Sequence, residues 1–230
     1  MRSTMMDYPL TLVHLLERAG RYFPQAEIIS RLPDRSLHRF AYSDFYRRSR
    51  ALAAALTRAG MRKGDRVATL MWNHYAHLEA YFGIPVAGGV VHTLNLRLHP
   101  DDIAYIANDA EDRFLIVDDV LLPLFEQFKD RVRLERVFVV PLTGKPIPSG
   151  YENYEELLKT GDGPFDYPEL DENDAGAMCY TSGTTGRPPG VVYSHRSMVI
   201  HSLSITVPDS VGLSQHEVVM PVVPMFHVLS

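Results

Sequence analysis

The sequence of 230 residues holds a single cysteine, lacks any long apolar run and has no surplus of positive charge. Cys179 cannot pair within the chain, which excludes a disulfide scaffold. That usage points to a reducing compartment, the cytoplasm, although a secreted protein without disulfides would also fit. The longest apolar candidate, 82–91, carries Pro85 and three glycines. It falls short of the roughly 18–20 residues a spanning helix needs. Residues 1–9 include Arg2 and Asp7 and no apolar core, so no secretory signal is expected there. A formal charge of -5 and a pI near 6.0, with Lys and Arg scattered, provide no field for holding nucleic acid.

What is present is globular usage: 46% apolar and 22% charged residues exclude a disordered chain, and the length is enough for a proper core. Leu10, Leu12, Val13, Leu15, Leu16 and Ala19 recur at helical spacing, followed by two short strands, 26–30 and 37–42, around a Pro33-Asp34 turn. Ser43 is placed to cap a helix over about 44–59, with Gly60 as its C-terminal stop. From Val67 the pattern alternates. Strands are expected at 67–72, 90–94, 114–118 and 137–140, with helices at 75–87, 101–110 and 120–129 between them. Such alternation, with strands as apolar as Phe114-Leu115-Ile116-Val117, predicts an α/β fold with mainly parallel sheet layered between helices. Residues 141–168 turn proline-, glycine- and acid-rich and read as a surface excursion holding one short helix candidate at 154–159. A strand at 175–180 then leads into Thr181-Ser182-Gly183-Thr184-Thr185-Gly186, and a strand at 191–193 follows.

Four hydroxyls and two glycines in six residues after a strand suit a loop that wraps phosphate oxygens, since glycine permits close approach and hydroxyls donate. On composition alone a plain Ser/Thr/Gly turn is an equal reading. The Walker spacing is absent, and Pro188-Pro189-Gly190 prevents a helix from starting directly after the loop. His74 and His77, with Glu79 nearby, read as helix-surface residues. Cys179 reads as a packed, inert thiol, and His195 and Arg196 read equally as surface, capping or nucleotide-side residues.

The whole string from Tyr180 to Arg196 resembles the signature phosphate loop of adenylate-forming enzymes. A second stretch, Pro221-Val222-Val223-Pro224-Met225-Phe226-His227-Val228, also matches that family. Together with Arg66-Val67-Ala68-Thr69-Leu70 and the run from Asn73 to Phe82, it is most similar to fatty-acid-CoA ligases. The resemblance implies the N-terminal portion of an acyl-CoA synthetase-like fold. Residues 1–230 would form an incomplete adenylation (AMP-binding) domain with its phosphate loop at 180–190, the C-terminal domain lying outside this sequence.

The implied activity is that of an ATP-dependent acid-thiol ligase. In the complete protein a medium- or long-chain fatty acid would be joined to ATP as an acyl-adenylate and then to CoA, with Mg²⁺ balancing phosphate charge. Thr181 would help hold Mg²⁺; Ser182, Gly183, Thr184, Thr185 and Gly186 would surround the triphosphate. Val228 would contact nucleotide, and His227 would stand beside the acyl-adenylate as the catalytic candidate. One departure matters: Pro189 stands where the family normally has lysine, and Arg187 differs from lysine in reach and hydration. Residues 1–230 alone are expected to be inactive, because later nucleotide motifs lie beyond Ser230. Two other readings remain: a ligase for an aryl or short-chain acid, and a non-catalytic nucleotide-binding or dimerising fragment. The segment around Ser3 to Met6 is similar to the dimer-forming start of long-chain ligases, which implies a homodimer. The expected location is cytoplasmic, with peripheral attachment to a membrane as a second site.

Overall fold

The computed structural model describes residues 1, 3–180 and 189–227. Helix α1 (Leu12–Tyr22) precedes a hairpin of β1 (Glu27–Arg31) and β2 (Leu37–Ala41), and α2 (Tyr42–Arg58) follows at once. Then come β3 (Arg66–Leu70), α3 (Tyr75–Val86), β4 (Val90–Thr93), α4 (Pro100–Asp109) and β5 (Asp112–Asp118). The chain continues through short α5 (Leu122–Phe125), β6 (Arg136–Val140), β7 (Glu152–Asn153) and α6 (Tyr154–Thr160). It closes with β8 (Ala175–Tyr180), β9 (Gly190–Ser194) and α7 (His195–Thr206). Seven strands form one sheet in the order β7-β6-β5-β3-β4-β8-β9, parallel throughout except for β8 and β9.

Strand alternation divides the core in two. Phe114 and Ile116 of β5 face the layer of α1, α2, α3 and α6, whereas Leu115 and Val117 face α4 and α5. All four are fully buried, each contributing roughly 1.5–3 kcal/mol by removal from water. The path from β3 to β4 runs through α3 on the first face. The path from β4 back past β3 to β5 runs through α4 on the second. The chain therefore reverses direction across the sheet here, and the crevice at the C-terminal ends of such strands is where α/β sheets take ligands.

Local chemistry explains most element ends. α2 ends as a Schellman turn: Met61 N–H reaches Leu56 O at 2.9 Å, Gly60 N–H reaches Thr57 O at 3.1 Å, and Gly60 holds the required positive φ of 98°. Its start differs from expectation. Ser43 is not the cap, because the helix already begins at Tyr42, whose N–H bonds Ala26 O at 2.7 Å while Ser43 N–H bonds Pro24 O at 3.0 Å. Carbonyls of the preceding loop do the capping. The helix expected over 120–129 is broken into 3₁₀ turns at 119–121 and 129–131 around the four-residue α5. Pro123 fits only a first turn, and Phe125 and Phe128 stack edge-to-face into the core. β7 and α7 were not foreseen.

Within 141–168, α6 buries Tyr154, Leu157 and Leu158 against the first face, so this part of the excursion belongs to the core. β9 is an edge strand and runs antiparallel, not parallel, to β8, with Val191 and Val192 exposed. Two later parts of the chain secure the start of α1. Leu10 N–H donates to Glu172 Oε2 at 2.9 Å, and Leu12 N–H donates to Nδ1 of His195 at 3.3 Å. His195 is fully buried, and Ser194, accepting from Ser197 N–H at 3.1 Å, is the actual cap of α7. Burial holds the His195 pKa below its usual value, so the ring is neutral and able to accept at Nδ1.

Candidate active site

β3, β4, β5 and β8 end together, as the register pairs Thr69 with Thr93, Leu70 with Val117 and Thr93 with Cys179. The sequence Thr181 to Gly186 follows directly on Tyr180, the last residue of β8. Thr181, Ser182, Gly183, Thr184, Thr185 and Gly186 all lie outside the described residues, as does Val228. Its two flanks are described: Tyr180 pairs with Gly190 across the β8-β9 hairpin, and Pro189 is exposed beside it. The Tyr180 hydroxyl donates to Asp109 Oδ2 at 2.7 Å, and its ring lies 5.3 Å from that of His92. His92 in turn sits 2.8 Å from both oxygens of buried Asp112. Cys179 is buried, its thiol 4.0 Å from the Tyr193 hydroxyl.

The turn after β3 is built by one carboxylate. Asp118, at the end of β5, accepts from Trp72 N–H at 2.8 Å and from the His74 ring at 2.8 Å. The other ring nitrogen of His74 accepts from Ala76 N–H at 3.3 Å and caps α3, so the partners assign the proton to Nε2. His74 and His77 are therefore not surface residues: both are buried. The Nδ1–H of His77 donates to Trp72 O at 3.1 Å, and its Nε2 accepts from the Thr69 hydroxyl at 3.0 Å. Burial first, and the adjacent His74 ring second, bring the His77 pKa down to about 3. Glu79 is buried as well, held by Arg48 at 2.5 Å and by the Tyr154 hydroxyl at 2.8 Å, so it ties α2, α3 and α6 together.

The 221–227 segment docks onto this turn. Asn73 donates to Pro221 O at 3.2 Å and to Val223 O at 2.9 Å, and accepts from Met225 N–H at 2.7 Å. The Tyr81 hydroxyl donates to Met225 O, and Thr93 donates to Phe226 O at 3.4 Å. Phe226, 3% exposed, meets Trp72 edge-to-face at 6.1 Å and lies under the Arg97 guanidinium at 5.8 Å. His227 comes next; its N–H bonds Pro224 O at 2.9 Å while its side chain is exposed at the sheet edge.

The 221–227 segment thus docks where β3, β4 and β8 end. Asn73, Tyr81, Thr93, Arg97 and Asp118 had no role in the sequence reading. The usable signal was an Asn-His pair directly before a helix, with an aspartate ending a neighbouring strand. Among the described residues no group of three or more His, Cys, Asp or Glu could hold a metal ion, and no helix is long and apolar enough to cross a membrane.

A sequence profile described as AMP-binding enzyme matches residues 16–230. The chain belongs to the AMP-binding enzyme family. It is 49% identical over 226 residues to a long-chain-fatty-acid–CoA ligase of Thermus thermophilus, covering 98% of this chain and 41% of that protein. It is 44% identical over 235 residues to a 3-methylmercaptopropionyl-CoA ligase of Ruegeria lacuscaerulensis, covering 99% and 43%. A crystal structure of a long-chain-fatty-acid-CoA ligase from Archaeoglobus fulgidus superposes with a TM-score of 0.81 at 24% identity, over 96% of this chain and 44% of that one. That likeness bears on the fold. The chain spans about two fifths of the length of the curated AMP-binding relatives it matches.

Proposed function

We propose that residues 1–230 are the front part of a fatty-acid–CoA ligase that, in the complete protein, activates a medium- or long-chain fatty acid with ATP and passes the acyl group to CoA. The observation that carries this reading is the docking of 221–227 at the strand edge where β8 ends, at Tyr180, the residue before Thr181 in sequence. The identity to the Thermus thermophilus ligase supports it. In the first step a carboxylate oxygen attacks the α-phosphorus of ATP and pyrophosphate leaves. In the second the CoA sulfur attacks the acyl carbon and AMP leaves.

Both steps concentrate negative charge, so oriented donors supply the main stabilisation. Under this reading Thr181 to Gly186 donate to the triphosphate, Val228 flanks the nucleotide, and His227 stands next to the acyl-adenylate. Mg²⁺ would arrive with ATP, held mainly by phosphate oxygens and water, with the Thr181 hydroxyl as the protein's contribution. Domain limits follow the same proposal: an adenylation domain through 230, with the C-terminal domain beyond it. A homodimer through the exposed Met5, Met6 and Tyr8, and a cytoplasmic location, complete it.

A second reading, a ligase for a shorter or differently substituted acid, is favoured by the 44% identity to the 3-methylmercaptopropionyl-CoA ligase. The test is acid-dependent exchange of radiolabelled pyrophosphate into ATP, using the protein at the length its own cell makes, with acids from acetate to oleate and including benzoate. Exchange strongest with the longer fatty acids is expected. Exchange with short or aryl acids alone would move the assignment to the second reading, and none with any acid would refute both.

A further inference from the structure

We propose that Asn73 is a positioning residue for the acid site, setting the register in which the 221–227 segment presents His227; this rests on the ligase reading above. From Val207 to His227 the chain enters no helix or strand, and Val218, Met220 and Val222 are exposed. At Met225 and Phe226 it becomes buried, and Asn73 stands at that change. Its one amide side chain spends its nitrogen on Pro221 O and Val223 O and its oxygen on Met225 N–H. These backbone positions flank the start of the turn that His227 N–H closes on Pro224 O. Only a side chain with donor and acceptor on the same short, planar group can make this set. Aspartate keeps the acceptor but sets a carboxylate against two carbonyl oxygens. Glutamine is one methylene longer.

Placement matters because the turn from Pro224 to His227, closed by the His227 N–H to Pro224 O bond at 2.9 Å, starts between the positions Asn73 bonds, so a shift of the segment would carry His227 with it. Asn73 is itself held rigidly, since Asp118 fixes Trp72 before it and His74 after it. The Tyr81 and Thr93 hydroxyls add donors to Met225 O and Phe226 O, but neither bonds residues 221–224. Asn73 alone among the described side chains bonds the segment at three places. It buries almost no apolar area, so its contribution is geometric.

The experiment uses the protein at its native length with Asn73→Ala and Asn73→Asp, measuring hydrogen exchange of the Met225 amide and separate KM values for acid and ATP. Both variants are expected to raise the KM for acid about tenfold, in line with losing two or three neutral hydrogen bonds, with the KM for ATP within about twofold. Met225 exchange is expected to quicken in Asn73→Ala and less in Asn73→Asp, with β3 and β5 amides unchanged. Unaltered Met225 exchange would overturn the clamp. Faster exchange with an even fall in kcat and both KM values unmoved would reduce Asn73 to a structural tie. A wild-type protein that activates no acid would refute the ligase reading and the acid-site role with it, while the exchange result would still report on the clamp separately.

Discussion

Asp118 and His74 form a buried pair, 2.8 Å apart, that joins the end of β5 to the start of α3. The same carboxylate also holds Trp72 N–H, so it closes the turn that carries Asn73. Asp118→Ala would strand both donors without water or partner, at a cost of roughly 1–3 kcal/mol for each. Asp118→Asn keeps one acceptor oxygen but turns an NH₂ group toward the second donor. Urea unfolding is expected to rank wild type above Asp118→Asn and Asp118→Ala, with both variants at least about 1 kcal/mol less stable.

Acid stability is expected to depend on His77. Its native pKa is down at about 3, against an ordinary 6.5, because the ring is buried. Between those values the unfolded chain binds a proton that the native protein does not. Stability therefore rises with pH through this window and falls on acidification, by up to about 1.4 kcal/mol per pH unit from this residue. His195, also depressed by burial, acts in the same direction. His77→Asn is expected to flatten the pH dependence below 6.5 by about one proton, measured as the slope of unfolding free energy against pH.

Gly161 sits where α6 touches α2, and a Cβ there would lie 1.8 Å from the Ala51 carbonyl oxygen. That oxygen belongs to helix backbone and cannot turn aside. Gly161→Ala is expected to destabilise by about 3 kcal/mol or more, through separation of the two helices. Thermal unfolding would show it. An unchanged melting temperature would mean that α6 docks further from α2.

Pro189 bears on catalysis, if the ligase reading holds. Pro189→Lys restores a positive charge beside the loop sequence and removes a fixed backbone angle. In the full-length protein it is expected to raise the rate of acyl-adenylate formation several-fold, as one added charge-assisted hydrogen bond would. Pyrophosphate release is the readout. An unchanged rate would show that position 189 does not limit the reaction.

The layered α/β fold was legible because its strands are apolar enough to be covered on both faces and its helices carry their own stops, as at Gly60. Failures had physical causes too. Ser43 looked like a cap, but the helix starts one residue earlier and carbonyls from residues 24 and 26 accept from its first two amides. Periodicity could not show that Pro123 would break the 120–129 helix, nor that β9 would turn back against β8. At the candidate site His74 and His77 read as surface residues, yet both are buried. Their polar rings are buried because Asp118, Thr69 and two backbone groups satisfy them, and those partners lie up to 44 residues away. Pairing over such distances leaves no local pattern.

The bonds from Leu10 to Glu172 and from Leu12 to His195 also constrain the birth of the protein on the ribosome. Helix α1 is made well before Glu172 and His195, the groups that seat its leading amides. At about 5–20 residues per second, the intervening stretch takes on the order of 10–40 s to make. Throughout that interval the apolar stripe of α1 can pack on α2 and α3, while its leading amides lack their partners. Seating of the α1 entry is therefore expected only once translation has passed His195, after the helix has met α2 and α3.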